Sequence, residues 1–427
     1  MRLTILNQFF YPDHSATSQL MTALAEDLAA RGVEVTALAS RGGYNGGGAF
    51  AARERHKGVR IERAWATSFG KRHVLGRLAD YATFYFGACF RLMTMPRQEI
   101  VMALTTPPLI GLVAMAAGRM RGMRFVALLE DLYPDVAVAL GAVPAGGVIT
   151  RALERLNRLM LRRADRIIVL GDCMLRRVTE KAGEDLAPRI DVIHNWADGR
   201  EIVPMEGVRG EFLRAVGLER LADKFIVLFG GNLGRVNEFS TVLDAAGELR
   251  ARDDIAFVFI GEGAKSAEIR RYVEQHRLSN IHLLPYQPRE HVCRSLGAAD
   301  ALLVTLADGL AGISVPSKTY SNLAAGRPIL FVGDLESCSA RLVVENDCGA
   351  AVASGASAEM AETLRAWTAD RSIPAGIGRR ARALFERRFD RPHAVAQYLS
   401  TFTRCLGRSE REPGKRIDRM VTDHRRI

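Results

Sequence analysis

The chain has no apolar run long enough to cross a bilayer. The nearest approach, Leu109–Gly118, is short, follows Pro107-Pro108 and is trailed by arginines, so it reads as a buried helix. No secretory leader is expected either: Leu3–Asn7 is a brief apolar run that leads into Pro12 and Asp13. Cysteine is sparse. Cys89, Cys173, Cys293, Cys338, Cys348 and Cys405 are scattered, with no Cys-x-x-Cys. That spacing argues against a metal cage and predicts separate structural thiols in a reducing cytosol. The absence of G-x-x-x-x-G-K-[ST] and of G-x-G-x-x-G removes the signatures of P-loop NTPases and of dinucleotide-binding dehydrogenases. No Asp-x-Asp closes a strand, so no divalent metal is required. With no zinc-finger or RNA-binding signature and no aromatic-rich basic stripe, nucleic acid is not expected as a partner.

What is present is an ordinary soluble balance, 48% hydrophobic and 25% charged over 427 residues, which is enough for about two domains. The formal net charge of +11 favours polyanionic partners such as nucleotide phosphates or anionic lipid.

Strands and helices alternate. Leu3–Asn7, Val33–Ala39, Ile100–Leu104, Arg124–Leu129, Arg166–Leu170 and Ile190–Ile193 read as apolar strands, and Thr17–Arg31 as a helix closed by Gly32. The pattern restarts at Phe225–Phe229, which ends in Gly230-Gly231-Asn232. The helix Phe239–Arg250 follows, then strands Ala256–Ile260, Ile281–Leu284, Ala301–Leu306 and Ile329–Val332. This predicts an α/β protein with two Rossmann-like, doubly wound domains facing a central cleft. Expected boundaries are 1–196, a linker at 197–224, 225–385, a helix at 386–406 packing back toward the first domain, and a basic, disordered tail at 407–427. The last ordered helix is expected at Gly378–Phe402.

Four constellations can carry chemistry. The stretch Gly309–Pro328 places Ser317 and Lys318 in a polar loop between a strand and a helix, where N–H groups and an ammonium can face a diphosphate; an ordinary turn with a solvated lysine is the alternative. The turn Asn7–Thr17 offers His14 and a helix cap at Ser15 or Thr17; it can equally be a cap and nothing more. Glu130 and Asp131 close a strand, where carboxylates accept a proton or orient a hydroxyl; Asp131 or Asp135 can instead start a helix. The turn Gly230–Arg235 lets backbone approach a phosphate, with Arg235 to neutralise charge. Gly261-Glu262-Gly263 repeats the turn one strand later. Lys71–Arg97 mixes arginines with aromatics, which suits either an interfacial helix at lipid headgroups or a core-facing helix with a basic outer face.

These segments resemble the family 4 glycosyltransferases of the GT-B type, in the bacterial branch that builds exopolysaccharide, capsule and O-antigen repeat units. The resemblance covers about residues 1–400. It rests on FFYPDHSATSQLMTALAEDLAARGVEVTALA, TTPPL, EDLYPDVAVALGAV, VIHNWAD, FGGNLGRVNEF, FIGEGAK, LPYQPRE and VPSKTYSNLAAGRPIL. It implies retaining transfer from a nucleotide-sugar, with no metal or other cofactor. The donor would lie on the second domain and the acceptor on the first. Asp131 then stands near the family's polar catalytic residue, with Glu130 and His14 as further catalytic candidates, and Ser15, Ala16 and Thr17 face the cleft. Gly231, Asn232, Arg235, Glu262, Ser317 and Lys318 are donor contacts, and Tyr286 and Gln287 lie where the base would be read. Two features depart from the family. Its paired glutamates, about eight positions apart before Ala-Ala-Gly, are missing, since Ala311, Ile313 and Ser321 occupy that region. Its lysine in the glycine-rich segment is replaced by Asn237-Glu238.

The expectation is therefore a cytoplasmic enzyme, peripheral at the inner membrane face. It would move sugar from a UDP- or GDP-sugar to a lipid-linked saccharide in cell-surface polysaccharide synthesis. Two rivals are a nucleotide-sugar 2-epimerase on the same fold and a non-catalytic, membrane-associated subunit of a polysaccharide assembly complex.

Overall fold

The structure is a computed structural model and describes residues 1–44, 50–67, 69 and 74–407. Lys71 and Arg72 of the expected interfacial helix, and the expected tail beyond Gly407, lie outside the described residues.

The first lobe runs β1 (Arg2–Leu6), α1 (Ala16–Ala30), β2 (Glu34–Ser40), β3 (Arg53–His56), β4 (Val59–Ala64), α2 (Val74–Thr94) and β5 (Ile100–Ala103). It continues through α3 (Gly111–Arg121), β6 (Arg124–Leu129), α4 (Asp135–Ala139), α5 (Val148–Arg163), β7 (Arg166–Val169), α6 (Asp172–Ala182) and β8 (Ile190–Val192). After α7 (Arg209–Ala215) the second lobe holds β9 (Phe225–Gly230), α8 (Ser240–Glu248), β10 (Ile255–Ile260), α9 (Ser266–His276), β11 (Ile281–Leu284), α10 (Val292–Ala298) and β12 (Ala301–Leu306). It ends with α11 (Lys318–Ala324), β13 (Ile329–Gly333), α12 (Cys338–Glu345), β14 (Gly349–Val352), α13 (Ser357–Ala369), α14 (Ser372–Arg388) and α15 (Arg391–Cys405).

The strands are buried on both faces, which is why they read as unbroken apolar runs such as Phe125–Leu129 and Ile255–Ile260. The first sheet has the order β3-β4-β2-β1-β5-β6-β7-β8, parallel except for the β3–β4 hairpin. The second has the all-parallel order β11-β10-β9-β12-β13-β14. Right-handed crossovers put helices joining leftward and rightward strands on opposite faces. In the first lobe α2, α3, α5 and α6 therefore pack side by side on one face, and α1 lies on the other against α15.

Four expectations need correction. The hairpin β3–β4 and the edge strand β14 were not anticipated; they are short or carry alternating charge, as in Arg53–His56. The single helix expected at Gly378–Phe402 is two helices, broken at Phe389-Asp390. There the Asp390 carboxylate accepts from the Arg391 N–H and Pro392 follows in the first turn. Ser15 sits at the N-cap of α1, but its Oγ is buried without a partner and makes no cap bond. Asp13 takes the Ser15 N–H instead, at 2.8 Å, and Thr17 lies within α1. Finally, the cysteines are not all separate: Cys173 and Cys338 are joined across the two lobes.

The chain crosses between the lobes twice, side by side. Ala197 bridges Asp390, and the Arg391 N–H donates to the Ala197 carbonyl at 3.0 Å. Arg391 then grips α1, with two bonds of 2.8 Å to the Asp27 carboxylate and one of 3.0 Å to Asp198. The guanidinium is mostly buried, so removing it strands two carboxylates. Arg391→Ala is expected to lower stability by roughly 3 kcal/mol, seen as an earlier midpoint in urea denaturation.

Candidate active site

Each sheet reverses its winding once, between β1 and β5 and between β9 and β12. Ligands of doubly wound sheets lie at these points, outside the carboxyl ends of the strands. The two ends meet here. The Leu132 N–H after β6 donates to the Ile313 carbonyl after β12 at 2.9 Å, and Asp131 forms an antiparallel bridge with Ser314.

In the second lobe Lys318 opens α11 and lays its ammonium over the Phe229 ring, 3.4 Å from the centroid. Gly231 (φ +127°) leaves the turn after β9 bare beside it: a Cβ there would stand 3.8 Å from Nζ. No described carboxylate pairs with this ammonium, and burial pushes its pKa down to about 7. A second cation arrives from the next turn. Lys265 donates to the Asn237 carbonyl at 2.8 Å. Asn237 itself is a buried brace, donating to the Asn232 carbonyl at 3.1 Å and accepting from the Thr305 hydroxyl at 3.1 Å.

The other second-lobe candidates fall differently. Asn232 and Arg235 stand exposed on the glycine turn, and Arg235 makes no ion pair among the described residues. Ser317 occupies the N-cap of α11 without a side-chain cap bond. Gly261 is glycine because a side chain would strike the Gly231 carbonyl, so the second turn packs against the first. Glu262 turns its carboxylate outward to Arg270 at 2.9 Å. Tyr286, exposed, donates to the Glu262 carbonyl at 3.2 Å, and half-buried Gln287 donates to the Pro285 carbonyl at 3.1 Å.

In the first lobe Glu130 is buried against Asn195. Burial, then the Asp131 charge, raises its carboxyl pKa to about 7, with the Asn195 contact opposing. Oε1 of Glu130 and Oδ1 of Asn195 are each buried without a hydrogen-bond partner among the described residues. Burial also raises Asp131, against a hydrogen bond from Ser314 of the other lobe. His14 is exposed and Ala16 opens α1; the first-lobe candidates thus spread along the cleft edge rather than converging on one atom.

Sequence reasoning assigned no role to three residues. Lys265 and His194 stood inside quoted segments (FIGEGAK and VIHNWAD), and Phe229 inside a strand. His194 lies within 3.0 Å of the Leu170 carbonyl and 3.4 Å of the Tyr320 hydroxyl; burial lowers its pKa, which keeps it neutral.

The model of the glycosyl transferase 4-like domain matches residues 17–196, and that of glycosyl transferases group 1 matches residues 216–384. The chain belongs to the family 4 glycosyltransferases. Over 254 residues it is 29% identical to WbjE of Pseudomonas aeruginosa, named a probable glycosyltransferase, covering 59% of this chain and 62% of that one. Over 260 residues it is 25% identical to WcaI of Escherichia coli (strain K12), assigned by name to colanic acid biosynthesis, with the same coverage. Each match thus spans less than two thirds of the relative. Sucrose-phosphate synthase from Thermosynechococcus elongatus shares the fold with a TM-score of 0.77 at 14% identity, over 95% of this chain and 99% of that one. HepE of Anabaena, solved with UDP-glucose, gives 0.71 at 16%, over 95% and 100%. The architecture is GT-B, two Rossmann-like lobes around a cleft.

In this family 4 glycosyltransferase the Ser321 hydroxyl donates to the Lys318 carbonyl at 2.9 Å. No carboxylate of this segment neutralises Lys318 among the described residues. A half-buried, desolvated ammonium with no paired carboxylate costs stability wherever it is charged. Its native pKa lies below the ordinary 10.5, so the unfolded chain binds more protons between about pH 7 and 10.5, and stability rises with pH across that window. Lys318→Met is therefore expected to raise stability by about 1 kcal/mol at pH 6.5, with the gain fading toward pH 10. Thermal denaturation across pH measures this.

Proposed function

We propose that the protein transfers a sugar, with retention and without a metal, from a nucleoside-diphosphate sugar on the second lobe. The acceptor is a lipid-linked saccharide met by the first lobe, in the synthesis of cell-surface polysaccharide. The observation that carries this reading is Lys318, a desolvated cation without a counter-charge at the winding reversal of the second sheet. A diphosphate supplies the missing charge. Lys318 and Lys265 then do the work a metal ion does elsewhere, stabilising negative charge as the nucleoside diphosphate departs. The names of WbjE and WcaI, and the UDP-glucose complex of HepE, support the substrate class.

The first lobe supplies the acceptor side. Tyr133, after β6, lies within electrostatic reach of Asp131, Tyr81 and Arg77, and burial raises its pKa and keeps its hydroxyl protonated. Rings and hydroxyls of this kind take the apolar faces and hydroxyls of a pyranose. Asp131 and Glu130 form the floor beside the seam.

The outer face of the same lobe explains how a lipid is reached. Among the described residues no helix is long and apolar enough to cross a membrane. Yet Leu75, Leu78, Phe86 and Phe90 of α2 and Val148 and Ile149 of α5 are exposed, with Phe86 at 78% and Val148 at 77%. Arg77, Arg119 and Arg155 stand exposed among them. Apolar side chains interleaved with arginines bind anionic bilayer surfaces at the level of the headgroups. The protein then works at the inner membrane face, where soluble donor and anchored acceptor meet.

Purified protein incubated with UDP- and GDP-sugars and a membrane lipid extract is expected to release nucleoside diphosphate only when both substrates are present. Failure of calorimetry to detect any nucleotide binding overturns the reading. A charged hydrogen bond is worth about 1.5–3 kcal/mol, so Lys318→Ala is expected to weaken UDP binding by roughly 10- to 100-fold. The affinity of the unsubstituted protein should fall as pH rises above about 7, where free Lys318 loses its proton. Flotation with vesicles containing phosphatidylglycerol should recover the protein. Phe86→Asp with Phe90→Asp should leave most of it unbound, while unchanged flotation removes this face from the reading.

A further inference from the structure

We propose that Cys173 and Cys338 are a thiol–disulfide modification site whose oxidation fastens the two lobes and holds the cleft shut. The residues lie 165 positions apart and on different lobes, with Cα atoms 5.8 Å apart. Cys173 is in the first turn of α6, after β7; Cys338 opens α12, after β13. The Cys173 N–H points at the Cys338 sulfur at 3.1 Å. An N–H at a helix start aimed at sulfur favours the anionic form, which is the one that attacks disulfides. Cys338 is half-buried and Cys173 buried, so a small reagent meets Cys338 first.

The backbone around the pair is shaped for close approach of the lobes. A Cβ on Gly171 would lie 2.7 Å from the Cys338 sulfur, and one on Gly312 would lie 2.7 Å from the Cys173 carbonyl oxygen. Gly312 belongs to the loop whose next residues, Ile313 and Ser314, carry the seam to Leu132 and Asp131. That loop runs on into Lys318. A second link is shorter still: Ser339, beside Cys338, is hydrogen-bonded at 3.1 Å to Thr319, beside Lys318. The cross-link therefore anchors the segment that presents the ammonium.

The oxidant is a low-molecular-weight disulfide of the glutathione type. The Cys338 thiolate attacks one of its sulfurs and releases the first small thiol. The Cys173 thiolate then attacks the sulfur of Cys338 in the mixed disulfide and releases the second. The two protein thiols lose two protons and two electrons, and the small disulfide takes up both to become two thiols. Reduction by a dithiol reverses the exchange. In the proposed function donor and nucleotide enter and leave between the lobes, so a covalent tie across the seam is expected to slow their exchange. The effect on turnover rests on the nucleotide-sugar reading; the cross-link itself does not.

The test treats the full-length protein with glutathione disulfide or with dithiothreitol, then counts thiols and maps peptides. Reduced protein should titrate six thiols and oxidised protein four, with Cys173 linked to Cys338. UDP dissociation and sugar transfer should slow at least tenfold on oxidation and recover on reduction, and Cys338→Ser should be insensitive to the treatment. Gly171→Ala keeps both thiols but crowds the sulfur, and should cross-link far more slowly. Six titratable thiols after oxidation, or a different mapped pair, overturns the site. A correct link with unchanged UDP dissociation overturns its control of the cleft. If neither form binds nucleotide, the donor reading fails alone, and the mapped link together with the Gly171→Ala rate still decides the modification site.

Discussion

A lysine ammonium lies over a phenylalanine ring with no paired acid among the described residues, and the second lobe is built to keep it there. The Phe229 ring is fixed from behind by Phe239 and Phe259, at centroid distances of 5.0 and 6.1 Å. The strand that carries Phe229 ends in glycines, so no side chain stands between the ammonium and the turn after β9. Lys318 is reached through a loop whose start is tied by the Ala307 N–H to the Val236 carbonyl, at 2.8 Å. The ring face attracts the ammonium, while desolvation disfavours its charge and no protein carboxylate is paired with it among the described residues. This is the usual signature of a group whose partner is a ligand rather than the protein.

The same economy of charge extends across the cleft. On the first lobe burial raises the pKa of both acids beside the seam, opposed by the Asn195 hydrogen bond at Glu130 and the Ser314 hydrogen bond at Asp131. One wall therefore carries the Lys318 ammonium, and burial on the other opposes negative charge at both acids. In the proposed function the anionic donor meets the first of these walls and the hydroxyls of the acceptor the second.

The lobes are coupled at two places with different chemistry. The paired crossings at Ala197 and Asp390 and the grip of Arg391 on Asp27 form one attachment, made of ion pairs and backbone bonds, and Phe389 beside it packs on His194 and Tyr320. At the seam the Leu132–Ile313 hydrogen bond, the Asp131–Ser314 bridge, the His194–Tyr320 contact and the sulfur pair span the gap. Of these only the sulfur pair is covalent, and Ser339 beside it bonds Thr319 beside Lys318.

Local pattern was enough to place most strands of both sheets. A buried parallel strand is a continuous apolar run, and the run is visible without knowing its neighbours. It was also enough to mark Lys318, because Pro-Ser-Lys between two such strands can only lie at a sheet's carboxyl edge. Edge elements escaped: β3 carries charges on alternate residues and β14 is Gly-Ala-Ala-Val, so neither shows the buried signature. The break at Asp390 escaped because a cap next to a proline interrupts an otherwise continuous helical period. That the Lys318 ammonium lies half-buried on the Phe229 ring, that Lys265 reaches the Asn237 carbonyl, and that Cys173 meets Cys338 were decided only by the packing of segments far apart in the chain. Periodicity reports what a residue's own element demands, whereas burial, counter-charge and sulfur pairing belong to contacts between elements, and those exist only once both sheets are wound and the lobes have met.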